Sequence, residues 1–225
     1  MIAGPIIDSE VRLLAPGFRA ISLTVEGGGM VGVQDSSILA DACGLVRAGG
    51  PDWAEIHLAS WDRVYERFGA KPGRTPSSAA ALRKRVLKDG EIPSINPIVD
   101  LYNAVSLRFA VPVGGENLSA YVGRPRLTIA DGSEPFETMS NGEQVTEYPP
   151  AGEIIWRDDL GVTCRRWNWR QGVRTRLEPG CTSMWFILEA LETMPEPALV
   201  DAGHMLASGL ERIMPGCRVQ QDYLC

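Results

Sequence analysis

The residue types best suited to chemistry lie in two short segments of the chain. In the first, the polar side chains Asn96, Asp100, Asn103 and Ser106 follow one another at steps of three and four residues. This spacing places them on neighbouring turns of one side of a helix. Most other positions of the segment are apolar, so we expect this helix to be buried on most sides. A buried polar group without a partner costs about 1–3 kcal/mol, so the stripe is either paired inside the protein or directed at a ligand.

The second segment, Cys164 to Gln171, combines three arginines with two tryptophans. If this segment is a strand, Arg165, Trp167 and Trp169 share one face. Arginine forks bind phosphate or carboxylate, and aromatic planes stack on unpaired bases, although core packing also explains at least one tryptophan. No histidine lies nearby to activate Cys164 as a nucleophile. The candidate ligand-binding residues of the segment are Trp167, Asn168, Arg170 and Gln171.

Together with Pro112 to Leu118, these segments resemble the tRNA-editing domain of the phenylalanyl-tRNA synthetase beta chain and, more closely, the freestanding relatives of that domain. The resemblance extends from about residue 60 to residue 190. In the synthetase, a similar helix lines the pocket that hydrolyses tyrosine wrongly attached to tRNA. The resemblance therefore implies an α+β fold, with helices layered on a mixed, largely antiparallel sheet, and an editing hydrolase that acts in trans on the CCA end of a mis-acylated aminoacyl-tRNA.

An aminoacyl ester is already activated, so a pocket that positions one water and stabilises the oxyanion is sufficient for hydrolysis. We expect Asn103 to orient the water or the ester carbonyl. Asp100 would bind the substrate ammonium or cap a neighbouring loop. The synthetase has a turn that borders its pocket where this chain has Gly115 and Glu116, and Glu116 would bind an ammonium or a hydroxyl. The synthetase's histidine in that turn has no counterpart here. The expected substrate-binding residues of these two stretches are Asn96, Asp100, Ser106, Gly115 and Glu116.

Other enzyme classes find little support in the sequence. The chain has 225 residues and only two histidines, and it lacks the Gly-x-Ser-x-Gly, His-Glu-x-x-His, Walker and Rossmann patterns. We therefore expect no metal and no nucleotide cofactor. The five cysteines are odd in number and include no Cys-x-x-Cys, which favours reduced thiols in the cytoplasm. The sequence has no apolar run long enough to span a membrane and no recognisable secretory signal.

The net charge of −6 at first argues against an anionic partner, but the charges are unevenly distributed. Residues 63–88 contain eight basic residues and one acid, and residues 163–176 contain five arginines and no acid. This uneven distribution predicts a basic face that binds RNA. The alternative is that the basic residues of 63–88 only form the solvent-exposed side of two helices. The expected tRNA-binding residues are Arg74, Arg83, Lys84, Arg85, Lys88, Arg165 and Arg166.

The elements that position these residues follow from periodicity and from turn signals. Helices are expected in the first half and strands in the second, which favours one α+β domain over residues 1–225. The expected strands and hairpins are 11–33, 126–136 with an Asp-Gly turn, 153–165, 174–177 and 184–188. The expected helices begin at Ser36 or Ser37, Asp52, Ser77 or Ser78, Asn96 and Pro197.

Three functions remain open from the sequence. The first is the editing hydrolase. The second is a non-catalytic module that binds an amino acid, an aminoacyl-tRNA or another RNA. The third is a tailoring enzyme that uses the aminoacyl pocket for a small substrate derived from an amino acid.

Overall fold

The computed structural model describes residues 4–29 and 37–225. Within these residues the chain forms six α-helices, eleven strands and one short 3₁₀ helix at Leu118–Ala120. The helices are α1 Ser9–Leu14, α2 Ser37–Arg47, α3 Ala54–Arg67, α4 Ser78–Asp89, α5 Pro97–Phe109 and α6 Glu196–Ile213. The strands are β1 Ile6–Ile7, β2 Arg19–Glu26, β3 Val113–Asn117, β4 Arg126–Ile129, β5 Phe136–Ser140, β6 Glu143–Glu147, β7 Ile154–Arg157, β8 Val162–Arg165, β9 Arg170–Gln171, β10 Ser183–Ala190 and β11 Arg218–Leu224.

The strands form three sheets. A four-stranded sheet has the order β11-β2-β10-β3, a five-stranded sheet has the order β1-β4-β7-β8-β9, and β5 pairs with β6. Strands β1 and β4 are parallel, and the other strand pairs of the described residues are antiparallel. The expected α+β class with a mixed, largely antiparallel sheet is therefore confirmed.

Strand β10 shows how the layers are stacked. Alternate side chains of a strand point to opposite faces of the sheet. Met184 and Phe186 pack into a core cluster with α5 and α6, whereas Trp185 and Ile187 pack into a second cluster with Trp156 of the five-stranded sheet. The four-stranded sheet consequently lies between helices on one side and the five-stranded sheet on the other.

The predicted helix starts are confirmed where local chemistry sets them. The Asn96 side chain accepts hydrogen bonds from the backbone N–H groups of Ile98 and Val99, and Pro97 occupies the first helical position. Ser77 caps α4 in the same way, as expected for side-chain oxygens that satisfy free N–H groups. Helices α3 and α6 also lie where periodicity places them, and Ser37 is the first residue of α2. The alternative cap, Ser36, lies outside the described residues.

One strand prediction was confirmed in part and one hairpin prediction was wrong. Within the described part of 11–33, β2 is a strand as expected, whereas the residues up to Leu14 belong to α1. The expected hairpin around Asp131 and Gly132 does not form, because the Glu134 carboxylate accepts their backbone N–H groups and closes a separate loop. The hairpin of this region is β5–β6, which turns at Asn141-Gly142 with φ of 53° and 85°. These positive φ values are the ones that an Asn-Gly turn supplies.

Further differences concern the sheet edge. Residues 174–177 do not form a strand. The expected turn at Gly114–Asn117 is instead β3, the edge strand of the four-stranded sheet, and the opposite edge strand β11 was not predicted. Strand β3 lacks an alternating apolar pattern, so its pairing with β10 becomes visible only in the tertiary structure.

Candidate active site

A pocket of about 290 Å³ opens between the two large sheets and the helices α4 and α5. Its floor comes from β3 and β10, one wall comes from β7, β8 and the segment that follows β8, and the opposite wall comes from the two helices. The lining residues are Ser78, Ala81, Leu82, Tyr102, Asn103, Val113, Gly114, Gly115, Glu116, Trp156, Cys164, Trp167, Asn168, Trp169, Gln171, Trp185, Ile187 and Glu189.

Two buried acids lie at opposite ends of the pocket floor. Glu116 of β3 is opposite Trp185 of β10 in the antiparallel register, and Glu189 lies four residues further along β10, on the same face. At about 3.4 Å per residue, the two acids are roughly 13 Å apart along the strand direction, too far to share one small cation.

Glu189 was not among the residues predicted from the sequence. Its Oε1 accepts hydrogen bonds from the indole N–H groups of Trp156 (2.9 Å) and Trp167 (2.8 Å), and its Oε2 accepts one from Asn168 Nδ2 (3.0 Å). Burial raises the pKa of Glu189 to about 7, against these three hydrogen bonds, which lower it. Its signal in the sequence is a lone acid in the apolar run from Met184 to Leu191. The carboxyl group positions both tryptophans and the amide at the pocket wall.

Glu116 has fewer donors than its two oxygens can use. It is 5% exposed. Its Oε1 accepts from Gln171 Nε2 at 3.3 Å, while its Oε2 makes no hydrogen bond of standard geometry with the described residues. Burial raises the pKa of Glu116 to about 8, and hydrogen bonding by the side chains of Thr175, Thr163 and Gln171, followed by the charge of Arg174, opposes this rise. At neutral pH Glu116 is therefore mostly the neutral acid.

Asn103 is the one member of the α5 polar stripe that lines the pocket. It is 9% exposed, and its side-chain amide makes no hydrogen bond in the part of the chain that the structure describes. Its neighbour Tyr102 also lines the pocket, and burial raises the pKa of its hydroxyl to about 12. Both side chains are neutral, and the amide is free to bind a water or a carbonyl oxygen.

The other three residues of the stripe have structural positions outside the pocket lining. Asn96 caps α5. The Asp100 carboxylate accepts from the hydroxyl of Ser94 and from the backbone N–H of Ile95 at 2.8 Å, so it caps the loop before α5. The Ser106 hydroxyl is buried and has no partner among the described residues. A substrate role for these three residues stays a prediction without support from the geometry.

The predicted strand that ends at Arg165 is confirmed as β8, but it does not continue through the following segment. Arg166 and Trp167 have φ of 47° and 65°. Because this left-handed turn ends the alternation of side chains, the condition for one shared face of Arg165, Trp167 and Trp169 is not met. Trp167 is fully buried. Asn168 accepts from the Tyr65 hydroxyl at 2.8 Å and donates to Glu189, so its amide connects α3 to the pocket wall.

Trp169 lies at the pocket and is flanked by two arginines. The guanidinium carbons of Arg166 and Arg170 are 4.5 and 5.9 Å from its ring centroid. Arg170 also donates to the backbone oxygen of Met139 (3.0 Å), and Gln171 donates to that of Gly115 (3.0 Å). The structure thus places Trp167, Asn168 and Gln171 in the pocket lining but not Arg170, and their role in ligand binding stays a prediction.

Comparison with known proteins identifies the family. Residues 60–194, more than half of the chain, match the B3/4 domain. The chain belongs to the B3/4 domain family. A crystal structure of an N-terminal fragment of the phenylalanyl-tRNA synthetase beta subunit from Pyrococcus horikoshii is similar at a TM-score of 0.48 and 10% identity, covering 99% of this chain and 54% of that chain. This chain thus spans about half the length of that fragment. No curated protein matches.

The expected basic face of the B3/4 protein is smaller than predicted. Arg83 is 8% exposed and is bound to Glu55 (2.7 Å) and to the Gly49 backbone oxygen (2.9 Å). Arg165 is equally buried and forms a two-bond pair with Glu153. Since these guanidinium groups are occupied inside the protein, the structure contradicts their assignment to a tRNA surface. Arg166 is partly buried against Glu153 and Trp169. The exposed members of the set are Arg74, Lys84, Arg85 and Lys88.

Neither of the remaining nucleophile or base candidates is suited to catalysis. Burial, with the charges of Glu116 and Glu189, raises the pKa of the Cys164 thiol well above its usual range, so it is a weak nucleophile at neutral pH. His57 lies outside the pocket lining, where its Nδ1 contacts the Ala110 backbone oxygen (2.8 Å) and its Nε2 accepts from Leu191 N (3.1 Å). Burial lowers the pKa of His57 to about 4, so the ring is neutral. Within the described residues, no cluster of His, Cys, Asp and Glu is suited to a metal ion.

No helix of the described residues is long and apolar enough to cross a membrane.

Proposed function

We propose that this B3/4 protein is a trans-acting editing hydrolase that removes a wrongly attached amino acid from tRNA. The observation that carries the proposal is the unpartnered amide of Asn103 in an aromatic pocket. Membership of the B3/4 family supports the relation to tRNA editing. The amino acid side chain would lie among Trp156, Trp169 and Trp185, whose large apolar surfaces favour burial of an amino acid.

The reaction requires little from the protein. A water oxygen forms a bond to the ester carbonyl carbon, the bond from that carbon to the ribose oxygen breaks, and one water proton ends on the ribose oxygen. Asn103 would orient the water or donate its N–H to the developing oxyanion, where a fixed donor stabilises the charge. The proposal needs neither a metal nor a nucleophilic side chain, since the aminoacyl ester is already activated.

Helix α4 supports the part of the proposal that concerns tRNA. Its first turns line the pocket with Ser78 and Ala81, and its last turns carry the exposed Lys84, Arg85 and Lys88. One helix would thus connect the site of the aminoacyl end with charges that attract the phosphate backbone. Phosphate contacts of this kind weaken steeply as salt rises.

The test is the release of amino acid from a panel of charged tRNAs. We expect one or a few mis-acylated tRNAs to lose their amino acid faster than in buffer, and Asn103→Ala to slow this step on the order of a hundredfold. Gln144→Ala, which removes an exposed amide on the β5–β6 hairpin, is the control and should behave as the unaltered protein. If every charged tRNA in the panel decays at its buffer rate, the hydrolase proposal is wrong.

A non-catalytic binding module is the second candidate, because Glu116 and Cys164 are neutral at pH 7 and offer no strong base or nucleophile in the pocket. It predicts salt-sensitive tRNA binding without turnover. Whether the protein is a hydrolase or a binding module, reversing the charges of Lys84, Arg85 and Lys88 together should weaken tRNA binding. Unchanged binding would show that α4 is not part of the tRNA-binding surface.

A further inference from the structure

The amide donor nearest to Glu116 is shared among several acceptors. Gln171 Nε2 lies near three acceptors, namely Gly115 O (3.0 Å), Glu116 Oε1 (3.3 Å) and Thr175 O (3.4 Å). Because one amide nitrogen has only two hydrogens, at least one of these acceptors is poorly served. Glu116 Oε2 makes no hydrogen bond of standard geometry with the described residues, and the Thr175 and Thr163 hydroxyls, which lower its pKa, are uncharged donors.

Among the residues that the structure describes, none pairs a cation with this carboxyl group. Arg174 acts on Glu116 only at a distance, because its guanidinium makes two bonds to Asp158 (2.7 and 2.9 Å) and one to the Ala120 backbone oxygen. In the part of the chain that the structure describes, Glu116 forms no ion pair. A buried acid left without a cation in a pocket is suited to a cation that arrives with the ligand.

The aromatic walls of the pocket are also suited to binding a cation. The rings of Trp156, Trp169 and Trp185 line the same cavity as Glu116. Aromatic faces attract ammonium groups, and exclusion of water strengthens the pairing of ammonium with carboxylate. Every aminoacyl ester carries an α-ammonium group, whereas a side-chain hydroxyl is present in only a few amino acids.

We propose that the Glu116 carboxylate binds the free α-ammonium group of the aminoacyl ester, so that the pocket selects unblocked amino acids and rejects N-acylated ones. The inference rests on the proposed function for the identity of the molecule that carries the ammonium. Acylation of the amine removes its charge and adds bulk beside a buried carboxyl group. Formyl-aminoacyl and peptidyl esters are therefore excluded.

Binding of this kind is linked to protons. Burial raises the pKa of Glu116 to about 8, so below this pH the acid must lose its proton when an ammonium binds. The other ionisable groups around the site are the Cys164 thiol, which stays protonated, the Tyr102 hydroxyl, the distant Glu189 and the Arg174–Asp158 pair. Of these, Glu189 titrates in a similar range, but its three hydrogen bonds come from the protein itself.

The test uses stable amide analogues of the tRNA terminus, 3′-aminoacylamino-3′-deoxyadenosines, each with a free amine and with an acetylated amine. Calorimetry at pH 6 in two buffers of different protonation enthalpy measures both affinity and proton release. For each analogue whose free-amine form binds, we expect binding to release about one proton. The acetylated form of the same analogue should bind about thirtyfold more weakly, or weaker still. Glu116→Gln should weaken the free-amine form by a similar factor and leave the acetylated form unchanged.

Glu143→Gln, an exposed acid on the β5–β6 hairpin, is the matched control and should bind as the unaltered protein. Equal binding of the two forms, binding without proton release, or no binding by any member of the series would overturn the inference. Recognition of a hydroxyl by Glu116 would give the first two of these results. The protein could prefer the free-amine analogues and release a proton on binding, yet deacylate no tRNA in the panel. That result would retain the inference and refute the hydrolase proposal.

Discussion

Replacing Glu116 by glutamine should stabilise the fold, by an amount that grows with pH. The folded protein holds this carboxyl group neutral up to a pKa of about 8, whereas its ordinary value is 4.5. Between these values the folded state binds more protons than the unfolded state, so the contribution of Glu116 to stability falls as pH rises through this window. Glutamine has nearly the same shape as the neutral acid and does not titrate. The free energy of unfolding of the variant therefore does not fall in this way as pH rises.

The size of the effect follows from the width of the window. Each unit of pKa difference corresponds to about 1.4 kcal/mol, so the interval from 4.5 to about 8 sets a ceiling of about 5 kcal/mol above pH 8. At pH 7 the same reasoning gives a gain of roughly 3 kcal/mol, and at pH 4 none. Entry of water beside the charged carboxylate would reduce these gains without changing their sign.

The assay is urea unfolding followed by the fluorescence of the six tryptophans, measured at pH 4, 5, 6, 7 and 8 for the variant and the unaltered protein. Subtracting the two curves removes the titration of His57 and Glu189, which both proteins share. The difference should rise steadily between pH 5 and pH 8. A difference that does not depend on pH, or a Glu116→Gln variant that is less stable at pH 8, would refute the reasoning.

Glu189→Gln is the matched comparison because its site is saturated with donors. At pH 8 the amide nitrogen of the new side chain would replace one oxygen that now accepts a hydrogen bond from Trp156, Trp167 or Asn168. The same substitution should therefore cost about 1–3 kcal/mol in lost hydrogen bonding here. This cost offsets most of the gain of roughly 3 kcal/mol at pH 8 that comes from removing a carboxyl group whose pKa is about 7 instead of 4.5, so we expect a small net change. A gain as large as that of Glu116→Gln would show that burial alone, and not donor supply, decides the outcome.

Two further predictions concern residues beside the site. Burial lowers the pKa of His57 from 6.5 to about 4, so the unfolded state binds more protons in this window, and the contribution of His57 to stability should fall by up to about 3 kcal/mol as pH decreases from 7 to 4. The difference in stability between His57→Gln and the unaltered protein, measured by urea unfolding, should therefore shift in favour of the variant by roughly 2 kcal/mol between pH 7 and pH 5, and an unchanged difference would contradict this reasoning. Gly115→Ala places a Cβ 2.6 Å from the Phe186 ring, so we expect a loss of about 1–3 kcal/mol in urea unfolding, and a variant as stable as the unaltered protein would contradict this close approach.

Local signals in the sequence were sufficient for most of the helices and for the central strands. Asn96-Pro97 and Ser77 start their helices because side-chain oxygens and proline satisfy the first turn directly. Strands β2 and β10 follow from their apolar content. The sequence was insufficient for β3 and β11, since an edge strand depends on a partner that is distant along the chain.

Only some of the residues that form the site could be predicted from the sequence. The sequence pointed to Asn103 because a polar group in apolar surroundings requires a partner, and the family resemblance pointed to Glu116 and to the segment after Cys164. It did not indicate that Arg83 and Arg165 are buried in ion pairs, or that Glu189 anchors the pocket wall. These facts depend on which partners meet across the fold.

The sequence by itself determined the family, the α+β class and the polar stripe on α5. Only the tertiary structure decided that Asn103 alone of this stripe lines the pocket, while Asn96 and Asp100 cap backbone groups. The physical reason is that helical periodicity fixes the face on which a side chain lies but not what is packed against that face. For the same reason, the charge state of Glu116 follows from its burial and its missing partner, neither of which is encoded locally.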